Sequence, residues 1–128
     1  MSTEQTDKRI LVIDDSTSIR NYIKLILEAE NYIITLAENG AEGVRSYREG
    51  IFDLVITDVY MPIISGLEVV VKLKEEFPDV KIIVLSDGGK EHFNDNLNVC
   101  EALGASAFLS KSKINEDLIS LIKTTLEE

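Results

Sequence analysis

Apolar residues fall along this chain in two patterns that alternate from one end to the other. RILVID from Arg9, YIITLA from Tyr32, DLVITD from Asp53, KIIVLS from Lys81 and AFLSK from Ala107 are short runs rich in β-branched residues, with the length of strands. An apolar run without alternation is the signature of a strand buried on both faces. Between the runs, apolar positions recur at helical spacing. Ile19, Tyr22, Ile23, Ile26 and Leu27 predict an amphipathic helix to about Glu30, started by the capping chemistry of Asp15-Ser16. A shorter helix is expected over Ala41 to Glu49, after the turn pair Asn39-Gly40 and ending at Gly50 as a C-terminal glycine. Ser65 caps a third, from Gly66 to Phe77, stopped by Pro78; a fourth ends near Gly104. Asn115, Glu116 and Asp117 open a fifth, with Leu118, Ile119, Leu121, Ile122 and Leu126 on its apolar side.

Five strands alternating with five helices imply an α/β fold: one doubly wound, five-stranded parallel sheet covered on both faces. Right-handed crossovers restrict the strand orders, and the flavodoxin-like order 2-1-3-4-5 is the natural one at 128 residues. That length predicts one domain, residues 9–128, with residues 1–8 a flexible polar lead; no residues remain after the fifth helix for a second module. The net charge of −10 argues against binding to nucleic acid, whose phosphates it would repel. No apolar run of transmembrane length and no signal peptide is apparent, and a single cysteine excludes an internal disulfide and fits a reducing cytoplasm.

In such a sheet, ligands bind beyond the carboxyl ends of the strands. Strand 1 ends in Asp14-Asp15, strand 3 in Asp58, strand 4 in Ser86 and strand 5 in Lys111, so these side chains are expected to converge. Three crowded carboxylates repel one another unless a cation neutralises them. An all-oxygen set suits a hard ion, and Mg²⁺ prefers a few carboxylates supplemented by water and phosphate oxygens. Lys111 and Ser86 are suited to hold phosphate oxygens, which makes the edge a site for in-line phosphoryl transfer. Taken singly, Asp14-Asp15 reads as a helix cap, Asp58 as a loop-capping residue and Ser86 as a turn hydroxyl. Their convergence carries the reading.

From Arg9 to Leu126 the sequence resembles the receiver domains of two-component response regulators. The resemblance rests on the acidic pair in ILVIDDS, the context DLVITDVYMP, the Ser-Gly turn after it, the Ser of IIVLSD and the Lys of FLSKS. It implies a stand-alone, CheY-like signalling protein that takes a phosphoryl group from a histidine kinase or phosphotransfer protein. Asp58 would be the phosphoacceptor, Asp15 a direct Mg²⁺ ligand, Asp14 a ligand mainly through metal-bound water, and the Tyr60 backbone carbonyl a further ligand. Lys111 and Ser86 would hold the phosphoryl group. Ser86 and Phe108 would form the switch, although Phe108 reads equally well as a half-buried core aromatic. The face of helix 4, strand 5 and helix 5 would report to a protein partner, from a monomer by default, with a dimer through helices 4 and 5 also open. Chemotaxis output and relay to another protein are both open.

Ser112 stands where the family usually has proline, often cis, so a trans bond is expected after Lys111. Asp87 adds bulk and charge beside Ser86, and Tyr60 is positioned to screen an acyl phosphate from water. Gly88-Gly89 differs from the plainest chemotaxis regulators. His92 reads as a solvated loop residue, Cys100 as a small buried hydrophobe, and Val69-Val70-Val71, Tyr22, Tyr32 and Tyr47 as packing. Three other functions compete with the receiver. A phosphate-independent binding module keeps the fold but needs none of the acidic set. A hydrolase with an aspartate nucleophile usually carries a second Asp where Tyr60 stands. A flavodoxin needs a phosphate cradle where Asp14-Asp15 would repel it.

Overall fold

A computed structural model of the chain describes residues 7–86 and 98–128. The readings for Asp87, Gly88-Gly89 and His92, and most of the polar lead, lie outside the described residues. Five parallel strands form one sheet: β1 Arg9–Ile13, β2 Ile33–Ala37, β3 Leu54–Asp58, β4 Ile82–Ser86 and β5 Ala107–Ser110. Their order is β2-β1-β3-β4-β5, as the sequence pattern implies. The helices are α1 Thr17–Glu28, α2 Gly40–Glu49, α3 Gly66–Glu76 and α5 Ile114–Glu127, and residues 98–103 are helical as α4.

The centre of the sheet is fully dry because β-branched and leucine side chains alternate between its faces. Ile10, Val12, Ile56 and Ile83 meet Ile23 and Leu27 of α1 and Leu118 and Ile122 of α5 in one cluster. Leu11, Ile13, Val55 and Val84 meet Val44 of α2 and Val69, Val70 and Leu73 of α3 in the other. Every residue of β3 and β4 is buried, whereas the edge strand β2 exposes Ile33 and Thr35. Registers such as Ile13↔Thr57 and Asp58↔Leu85 bring the carboxyl ends of the central strands level.

Local chemistry sets the helix starts. Ser16 accepts from Ile19 N at α1, and Asn39 accepts from Glu42 N, 2.8 Å away, at α2. Ser65 and Glu68 form a reciprocal capping box at α3. Some expectations shift. The first helix ends at Glu28 rather than Glu30, and the last begins at Ile114, one residue early, behind a 3₁₀ turn over Lys111–Lys113. Gly50 closes α2 with an extended φ of −121°, so its glycine freedom goes unused there. Gly104, with φ +100°, does use the left-handed region. Val71 is 36% exposed and belongs to the outer face of α3, not the core. Tyr32 is buried, Tyr47 stacks near Phe52 and meets Phe77 edge-on, and Tyr22 hydrogen-bonds Asn115 of α5, so the three tyrosines do pack. No cis peptide bond occurs among the described residues, the Lys111–Ser112 bond included.

Candidate phosphoacceptor and metal site

The strand ends deliver their polar residues to one edge, as the sequence implies. Asp14 and Asp15 follow β1, and Asp58 closes β3. The three offer carboxylate oxygens all within 4.8 Å of one another, with Asp14 and Asp58 buried and Asp15 exposed. Lys111 enters from the end of β5. Its Nζ lies 3.1 Å from Asp14 Oδ2 and 3.2 Å from Asp58 Oδ1, and its side chain is only 13% exposed.

One ammonium does not neutralise three carboxylates. Burial raises the Asp58 carboxyl first, and the Asp14 charge raises it further; the Lys111 charge pulls the other way, leaving it at about 6. Burial works to lower the Lys111 ammonium, but the charges and hydrogen bonds of Asp58 and Asp14 outweigh it, and the net shift is upward. Asp14 Oδ2 is buried and, beyond the ion pair with Lys111, makes no aligned hydrogen bond among the described residues. A recessed acidic edge with a surplus of oxygen donors fits a small hard cation, and Mg²⁺ suits carboxylate oxygens supplemented by water or phosphate oxygens.

The supporting contacts are local. Asp14 Oδ1 accepts from Ser16 N at 2.8 Å, which orients the carboxylate while Ser16 starts α1. Arg20, one turn into α1, donates from Nη1 to the Asp14 backbone carbonyl at 2.6 Å and from Nη2 to Thr17 Oγ1. Sequence reasoning passed over Arg20, whose only signal was a basic residue one turn into the helix that Asp14-Asp15 opens. Gly66 is required more strictly, because a Cβ there would fall 1.9 Å from the Asp58 carbonyl oxygen. Ser86 closes β4 on the same edge and is fully buried, opposite Ser110 of β5. Tyr60, two residues beyond Asp58, is 52% exposed. Phe108 is partly buried and packs on the α2–α3 side of the sheet, in register with Val84. Cys100 is buried and burial pushes its thiol up to about 11, so it is the inert hydrophobe expected.

A doubly wound sheet with clustered carboxylates and a partly buried lysine at its carboxyl edge defines a class of proteins that carry out phosphoryl chemistry on an aspartate. The match to known proteins is more specific. Residues 10–123 match the model of the response regulator receiver domain, and the chain belongs to that family, the signalling phosphoacceptors of two-component systems, which use Mg²⁺.

Among relatives, it is 36% identical over 104 residues to the chemotaxis protein CheY of Halobacterium salinarum, covering 81% of this chain and 84% of that protein. It is 31% identical over 119 residues to the transcriptional regulatory protein YkoG of Bacillus subtilis, covering 93% of this chain but 51% of the relative. The chain thus spans about half the length of some curated relatives. The response regulator TrrA of Thermotoga maritima, solved in complex with Mg²⁺-BeF, superposes with a TM-score of 0.83 at 39% identity, covering 92% of this chain and 98% of that one. No helix among the described residues is long and apolar enough to cross a membrane.

Proposed function

We propose that Asp58 is the phosphoacceptor of this chain. The observation that carries the reading is that Asp58, 4% exposed at the floor of the edge, shares one partly buried lysine with Asp14 inside a three-carboxylate cluster. An Asp58 carboxylate oxygen attacks the phosphorus of a phosphohistidine. The O–P bond forms as the P–N bond breaks, and the imidazole leaves with the electron pair and takes up a proton. Mg²⁺, when bound, supplies the positive charge that keeps Asp58 ionised and offsets charge on the transferred oxygens. Asp14, Asp15, Asp58 and the Tyr60 backbone carbonyl are its proposed ligands. Lys111 holds the phosphoryl oxygens by point charge, and Ser86 adds a hydroxyl.

On this reading the chain acts on nothing but its own aspartate, so it is a signalling device rather than an enzyme with an outside substrate. Ser86 and Phe108 form the switch, and the surface of α4, β5 and α5 reports it to a protein partner. We place the chain in the cytoplasm, as one monomeric receiver unit over residues 9–128. The charge of −10 supports a protein partner over nucleic acid. Incubation with acetyl phosphate, with and without Mg²⁺, followed by intact-mass measurement, tests the reading. One phosphate adduct that requires Mg²⁺ and is absent from Asp58→Asn is expected. An adduct that survives in Asp58→Asn would overturn it.

A further inference from the structure

The loop between β3 and α3 leaves and returns beside Asp58. Val59 N donates to Leu85 O at 2.9 Å, Gly66 N donates to Val59 O at 2.8 Å, and Gly66 lies against the Asp58 carbonyl. Residues 60–65 therefore form a short excursion whose neck is pinned at the phosphoacceptor strand. One of its two isoleucines is anchored: Ile64 packs on the α2–α3 core, in contact with the space that Gly40 leaves open. The other is not. Ile63 is 85% exposed, and no large hydrophobic among the described residues exceeds it. It also sits at φ +72°, the left-handed region that β-branched residues rarely occupy.

Both facts disfavour isoleucine at this position. Glycine or asparagine would take the backbone angle with less strain, and almost no burial would be lost with the side chain. An exposed apolar group held in a disfavoured conformation points to a role outside the fold. Its position names the occupant. Asp58 is recessed, and a phosphorus atom must come within roughly 3–3.5 Å of its oxygen to react. A protein that carries the phosphoryl group on histidine must therefore cover the surface around Asp58, to which this loop belongs. Tyr60, half exposed in the same loop, widens the apolar contact on an otherwise acidic molecule.

We propose that Ile63, with Tyr60 of the same loop, is an apolar docking point for the phosphohistidine protein that charges Asp58. The proposal rests on the reading of Asp58 as phosphoacceptor, and the experiment separates the two. Parent, Ile63→Gly, Ile63→Asn and Ile63→Leu are charged from acetyl phosphate and, in parallel, from the radiolabelled phosphohistidine form of the kinase that charges the parent fastest among those of the same genome. Acetyl phosphate needs no docking surface and should charge all four at the same rate. Transfer from the kinase should fall at least about fivefold in Ile63→Gly and Ile63→Asn, as loss of an apolar anchor predicts, and persist in Ile63→Leu. Thermal unfolding of the glycine variant should occur at the parent's temperature or above, which excludes misfolding as the cause. Equal kinase transfer to all four proteins would overturn the docking role and leave the Asp58 reading intact. A parent charged by no kinase would overturn it as well, and a parent charged by neither donor would remove both.

Discussion

Neutralising Asp58 should make the metal-free protein more stable at neutral pH. In the native state its carboxyl is raised from the ordinary 3.8 to about 6, chiefly because ionisation is disfavoured at a buried site beside Asp14, with the attraction to Lys111 already counted. The unfolded chain ionises Asp58 near its ordinary value, so between about pH 4 and pH 6 the native state holds a proton that the unfolded state has released. Stability therefore falls as pH rises through that window. At about 1.4 kcal/mol per pH unit, the loss saturates near 3 kcal/mol above pH 6. Asp58→Asn removes the charge and keeps an oxygen for Lys111 to donate to. Urea unfolding in chelator at steps from about pH 4 to pH 8 measures the effect. The variant should exceed the parent by about 2–3 kcal/mol at pH 7.5, a midpoint shift of about 1–2 M urea, with the gap closing below about pH 4. Added Mg²⁺ should narrow the gap by stabilising the parent more. A variant less stable than the parent at pH 7.5, or a gap that ignores pH, would refute the reasoning.

Lys111→Met should destabilise the metal-free chain by about 2–4 kcal/mol at pH 7, because Asp14 and Asp58 lose the cation they share, and excess Mg²⁺ should recover much of it in the same unfolding assay. The raised Lys111 ammonium contributes stability that is complete below its ordinary 10.5 and lost as pH climbs past that value, so the gap between parent and variant should close in alkaline solution. Gly66→Ala should cost more than about 3 kcal/mol, since its Cβ would collide with the Asp58 carbonyl, and circular dichroism on heating would register it. Tyr60→Ala should shorten the lifetime of the acyl phosphate if the half-exposed ring screens it from water, and equal lifetimes would remove that role.

The strands were legible because a sheet covered on both faces leaves no polar positions to blur the pattern, as the fully buried β3 and β4 illustrate. The site was legible for a topological reason: parallel strands all end on one edge, so residues distant in sequence are fixed together once the order is known. What escaped depends on distances of a few ångström or on single dihedrals. Arg20 reaches the Asp14 carbonyl through a 2.6 Å contact that spans the turn from β1 into α1. Ile63 reads in sequence as one more apolar residue, and only its φ and exposure set it apart from Ile64. Val71 follows two core valines, yet the helical turn carries it outward. Gly50 shows the converse, a residue type that marks a helix end without its special conformation being called upon.

The most direct test of the central claim is to find the residue that carries the phosphoryl group. The protein charged from acetyl phosphate in Mg²⁺ is reduced with borohydride, which converts an aspartyl phosphate to homoserine, and then digested and sequenced by tandem mass spectrometry. Homoserine at position 58, with Asp14 and Asp15 intact, is the predicted result. Conversion at Asp14 or Asp15 instead, or no homoserine in a protein that carries the phosphate mass, would contradict it.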